Sequence, residues 1–175
     1  MKTGFFAALA ALALIGGTGA PALAGDGGTN ADGAPDGPSF EITANHVGIS
    51  VPDLDASIAW YHRMLGFDLV RKMTKDANPK MVFALIRRGN FNLELFQVDK
   101  SRAMPAYRFD PTADLYVHGI KHLAFEVKDA VAASNELKAK GAKILLGPVV
   151  GPRTTYVFIA DNSGIPFELI QFKGE

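Results

Sequence analysis

The chain has no cysteine, a single tryptophan and no excess of either charge, with 18 basic and 18 acidic side chains among 175 residues. Without cysteine there is no disulfide framework and no lipid-modified residue beside a leader. The charge balance gives neither a basic nucleic-acid face nor an acidic tail, so no nucleic-acid partner is expected. Long hydrophobic runs are missing as well. The longest, Phe5 to Ile15, falls short of the roughly 20 residues that a permanent membrane anchor needs. Nearly half of the residues are nonetheless apolar (48%), enough for the core of one domain or of two small half-domains.

That apolar run has another reading. Residues 1–24, MKTGFFAALAALALIGGTGAPALA, carry Lys2, the apolar stretch and then Ala22-Leu23-Ala24, which is the pattern of a cleavable signal peptide. Cleavage is expected after Ala24, with the mature protein secreted or periplasmic. Residues 25–40 are rich in glycine, aspartate and proline and read as a flexible leader. An exported protein without disulfides relies on its core, helped by a metal or by dimerisation.

From 41 onward the pattern occurs twice. A β-branched strand leads to Asp53, a helix cap candidate, then to LDASIAWYHRML with an apolar face and a glycine stop at Gly66. Three strand patterns follow, ending in NLELFQV. After an irregular stretch, GIKHLAFEVKD begins the same order again, with its own cap candidate Asp129, a helix ending at Gly141, and strands closing in PFELIQF. His46 to His122 and Asp53 to Asp129 are each 76 positions apart, and Glu94 to Glu168 is 74. This internal repeat predicts an α+β domain over 41–175, built from modules at about 41–98 and 118–173 joined by loop 99–117. The two βαβββ modules are expected to form an open, cup-shaped mixed sheet or barrel with helices outside.

Strand parity assigns the faces. Val47, Ile49 and Val51 form one side of the first strand, leaving His46, Gly48 and Ser50 on the other. Leu123, Phe125 and Val127 likewise oppose His122, Ala124 and Glu126. Glu94 lies opposite Leu93 and Leu95, and Glu168 lies opposite Phe167 and Leu169. A carboxylate on a concave face needs a cation or hydrogen-bond donors. Two-fold repetition is expected to bring His46, Glu94, His122 and Glu168 towards one centre. Imidazole and carboxylate donors suit one divalent ion such as Zn, Ni, Co, Fe(II) or Mn.

These residues resemble the vicinal oxygen chelate superfamily, which includes glyoxalase I, epimerases, extradiol dioxygenases and the bleomycin resistance proteins. NHVGISVPDLDASIAWYHRMLGF, GIKHLAFEVKD and DNSGIPFELIQ carry the resemblance. It implies His46, Glu94, His122 and Glu168 as metal ligands, with Glu94 matching a position that is glutamate in glyoxalase I. It further implies a lyase or isomerase that binds a small substrate through vicinal oxygens, with a metal-stabilised enediolate, Glu168 as base and Glu94 as ligand or partner acid. Two alternatives stay open on the same fold: a ring-cleaving dioxygenase, or a metal-free ligand-binding or resistance protein. Glyoxalase I uses a glutathione adduct, which a cytoplasm supplies far better than a periplasm, so export points to another substrate.

Phe83, Phe96, Tyr156 and Phe158 are candidates for lining the cup, and Arg108 or Arg153 for receiving an anionic group. The linking loop has the length of a lid or of a homodimer element. His62 and His118 read as solvated or structural, Trp60 and Tyr61 as packing, and Gly89 and Gly164 as hairpin turns.

Overall fold

The computed structural model describes residues 40–74 and 80–174. The expected signal peptide and nearly all of the expected leader lie outside the described residues. Ala44–Glu175 forms a compact unit and contains every candidate residue. Among the described residues, no helix is long and apolar enough to cross a membrane.

The first module runs β1 (His46–Ser50), α1 (Leu54–Leu65), β2 (Asp68–Thr74), β3 (Met81–Arg88) and β4 (Phe91–Val98). The second runs β5 (Leu123–Glu126), α2 (Ala130–Ala139), β6 (Lys143–Val150), β7 (Thr154–Ala160) and β8 (Pro166–Phe172). The sheets are ordered β1-β4-β3-β2 and β5-β8-β7-β6, and they do not close into a barrel. β1 lies parallel to β4 and β5 parallel to β8, while the hairpin neighbours are antiparallel.

Both helices start where the sequence predicts. The Asp53 and Asp129 carboxylates accept from Ala56 N and Ala132 N, each at 2.9 Å, satisfying amide donors that the helix leaves open. Gly66 ends α1 in the left-handed conformation at φ 66°, which side chains with a Cβ rarely adopt. Two features differ from expectation. β1 begins at His46 rather than near 41, because its partner β4 emerges from the turn only at Phe91, and the first pair is His46 with Asn92. The linking loop is more ordered than its polar composition predicts, with 3₁₀ turns at Ala106–Phe109 and Ala113–Tyr116. Asp110 organises it by accepting from Thr112 N and Ala113 N, and the Phe109 ring packs on Gly164, where a Cβ would stand 2.5 Å from it.

One apolar core joins the two modules. Trp60 on α1 meets Phe167 on β8 edge to face, and Phe67 meets Phe125 on β5. Full burial of one such aromatic stabilises by about 1.5–3 kcal/mol. Trp60 and Tyr61 are buried, as the helical spacing predicts. A polar contact crosses the same interface: the Tyr61 hydroxyl donates to Asp161 Oδ2 at 2.9 Å. Burial, followed by the neighbouring Asp161 charge, pushes the Tyr61 hydroxyl well above its usual value. Burial also raises Asp161, against the backbone donors that favour its charged form.

Candidate functional site

Each sheet turns its apolar alternate positions to the core and its histidine and glutamate the other way. Leu93 and Leu95 are fully buried on β4, as are Phe167 and Leu169 on β8. These four side chains fix the strands so that Glu94 and Glu168 project from the opposite face. Parallel pairing sets the acids against Gly48 and Ala124, two residues along from the histidines and on the same face. His46 Nε2 consequently lies 3.2 Å from Glu94 Oε2, and His122 Nε2 lies 3.3 Å from Glu168 Oε2. The carboxylate side chains are 21% and 15% exposed, reachable from solvent yet partly desolvated.

The expected gathering of all four at one centre does not occur within a single chain. Among the described residues, no cluster of three or more histidine, cysteine, aspartate or glutamate side chains is present. The reason lies in the ladders. Each pair is created inside its own sheet, by β1 on β4 or by β5 on β8, and β1 and β5 belong to separate sheets. The chain therefore carries two half-sites with one imidazole and one carboxylate each. Among the described residues the only polar partner of either carboxylate is its own histidine. Partly desolvated acids with so few donors, beside imidazole nitrogen, fit a borderline divalent cation.

The aromatic candidates divide between the sheets. Phe83 and Phe96 face each other on β3 and β4, stacked at 5.9 Å and half-buried on the glutamate side. Phe96 also fills space beside Gly48, where a Cβ would come 3.1 Å from its ring. Tyr156 and Phe158 are buried, and Phe158 packs its edge on the His122 ring at 4.8 Å. Phe158 lies directly across from Glu168, on the glutamate side, and is buried against the His122 ring.

Arg108 borders a cavity of about 380 Å³ between β1 and the start of β5, together with Ser50, Met104, Lys121 and His122. Its guanidinium is engaged by Asp114 and by the Ile120 carbonyl, so it braces the linking loop. Arg153 is exposed in the β6–β7 turn, where its carbonyl accepts from Lys173 N. His62 is exposed near Phe67 O and Asp68, and His118 is exposed in the linking loop.

Residues that pattern reading passes over complete the picture. Gln97 Oε1 accepts from Leu54 N at 2.7 Å, and Gln171 Oε1 accepts from Ala130 N at 3.2 Å, so the glutamine ending each motif holds the start of its module's helix. Their recurrence three positions after each glutamate was the available signal. Around His46, Asn45, Asn92 and Arg87 form a hydrogen-bonded chain. Asn92 shares the Glu94 face, but no spacing singled out Asn45.

Comparison with known proteins agrees with this architecture. A lactoylglutathione lyase of Haemophilus influenzae is 30% identical over 132 residues, covering 73% of this chain and 91% of the relative. A 2-epi-5-epi-valiolone epimerase of an Actinomyces species is 30% identical over 154 residues, covering 74% and 79%. The crystal structure of glyoxalase I from Zea mays superposes with a TM-score of 0.58 at 30% identity, covering 74% of this chain and 44% of the maize chain. Residues 43–169 match the profile of the Glyoxalase/Bleomycin resistance protein/Dioxygenase superfamily, and the chain belongs to that superfamily.

Proposed function

We propose that this chain is an exported metal-dependent lyase or isomerase acting on a small substrate that presents two adjacent oxygens. The observation that carries the reading is the pair of His–Glu half-sites, at 3.2 and 3.3 Å, in the same place of two like-ordered sheets. His46, Glu94, His122 and Glu168 would hold one divalent ion, of the Zn, Ni, Co, Fe(II) or Mn type. Two donors are too few for such an ion, so the site is completed when a half-site of one copy meets a half-site of a second. A relative named as an epimerase favours proton transfer, since inversion at a carbon beside a carbonyl proceeds readily by removal and return of a proton.

When bound, the ion stabilises negative charge building on the substrate oxygens. Glu168 takes the proton from the carbon beside them. Glu94 is the second acidic ligand or returns the proton. Half-buried Phe83 and Phe96 exclude water on the first-module side. Cleavage after Ala24 delivers residues 25–175 to a periplasm, where a glutathione adduct is not the expected substrate.

Complementation tests the shared site. His46→Ala and His122→Ala, each inactive alone in solvent-deuterium exchange on 2-hydroxy-carbonyl compounds, are expected to recover activity when mixed. Mixing gives one intact site from the two unmutated halves. No recovery, with one equivalent of metal per monomeric chain, would overturn the shared arrangement. Absence of stoichiometric metal in purified protein would overturn the enzyme reading and favour a metal-free binding protein. Amino-terminal sequencing of the periplasmic fraction, expected to begin at Gly25, tests export.

A further inference from the structure

The two half-sites differ beyond their ligands. Asn45 Oδ1 stands 2.7 Å from His46 Nδ1. Asn92 Nδ2 donates to the Asn45 carbonyl at 2.8 Å, and Arg87 Nε donates to Asn92 Oδ1 at 2.8 Å. The Asn92 amide can point only one way in this chain, because a guanidinium only donates and a carbonyl only accepts. The Asn45 backbone is thereby held beside the first strand, and its side-chain oxygen meets the imidazole. An amide oxygen at Nδ1 requires a proton on that nitrogen, so in the neutral ring Nε2 is the nitrogen whose lone pair is open to a cation on the Glu94 side.

The second half-site has none of these groups. Lys121 stands at the position matching Asn45, 76 residues on, and its ammonium cannot accept a hydrogen bond. It donates instead to the carbonyls of Asp114 and Val117. In the cross-strand register, Asn92 opposite Arg87 corresponds to Pro166 opposite Ala160. Among the described residues, His122 is held by Glu168 and by the Phe158 ring.

We infer that Asn45, braced by Asn92 and Arg87, is a positioning residue that fixes the His46 tautomer and ring angle for metal binding. The inference rests on the metalloprotein reading above. It makes the first half-site the oriented donor pair and the second an apolar-supported one. Loss of such an outer partner lowers metal affinity by about 10–100-fold.

Co²⁺ titration followed by absorbance, on wild type, Asn45→Ala and Asn45→Asp, provides the test, with circular dichroism to establish that each variant folds. Asn45→Ala is expected to bind about 10–100-fold more weakly, and Asn45→Asp, whose carboxylate still accepts from Nδ1, close to wild type. In Zn²⁺-loaded protein, the slowly exchanging His46 Nδ1 proton should appear in the NMR spectra of wild type and Asn45→Asp and vanish in Asn45→Ala. Equal affinity and an unchanged Nδ1 signal in folded Asn45→Ala would overturn the positioning role alone. Wild type that takes up no metal would overturn both readings, and this is seen before any variant is compared.

Discussion

The His46 and His122 half-sites occupy the same place in two sheets of the same strand order, yet they are held by different means. Around His46 the support is polar, running from Arg87 through Asn92 to Asn45. Around His122 it is aromatic, with the Phe158 edge against the ring and a proline on the adjoining strand. What the halves share is architecture: the Asp53 and Asp129 caps, the Gln97 and Gln171 clamps, and the buried side chains flanking each glutamate. The difference teaches that the fold constrains where each histidine sits but not how its ring is oriented. Orientation by hydrogen bond selects a tautomer, whereas orientation by packing selects only a plane.

The sharpest way to break this comparison is at the acids. Glu168→Gln should lower solvent-proton exchange into substrate by about two to four orders of magnitude, the usual worth of a positioned base. Glu94→Gln should lose less of the exchange rate and more of the metal affinity. The reverse order, read from deuterium incorporation and metal titration on both variants, would assign the base to the first half.

A smaller effect is expected where the halves meet. Tyr61→Phe removes the hydroxyl that donates to buried Asp161 and should cost about 1–3 kcal/mol in a denaturant titration at neutral pH. The pH dependence has a definite sign. Tyr61 holds its proton more tightly folded than unfolded, so its contribution is complete below the ordinary tyrosine range near 10 and is lost as pH rises beyond it. Wild type should therefore lose stability more steeply than Tyr61→Phe in that alkaline window. Parallel curves would show that the hydroxyl is not differently bound in the two states.

The smallest effect separates the clamps. Gln97→Ala should destabilise by about 0.5–1.5 kcal/mol, and Gln171→Ala by less, because the Leu54 bond is 2.7 Å and the Ala130 bond 3.2 Å. Thermal melts of the two variants measure the gap, and a larger loss for Gln171→Ala would reverse the ranking.

Much of this was legible in the sequence because it depends on local rules. Parity alone places Leu93 and Leu95 inward and Glu94 outward, and the carboxylates of Asp53 and Asp129 sit where helix starts need acceptors. The relation of the two sheets was not legible, since it is set by contacts such as Trp60 on Phe167, and residues 107 positions apart leave no periodic trace. The division of His46, Glu94, His122 and Glu168 into two pairs follows from that relation. The packing of Phe158 on His122 was not legible, because an aromatic in a strand has the same pattern whatever it packs against. Asn45 gave no signal, being one exposed polar residue just ahead of a strand.

The glutamine clamps have a mechanical consequence. Gln97 lies three residues from Glu94 on one strand and is fastened to the first turn of α1; Gln171 stands in the same relation to Glu168 and α2. In each half the strand that carries the carboxylate therefore cannot slide along its helix without breaking the glutamine bond, so the place of each acid is pinned to the register of its own helix start.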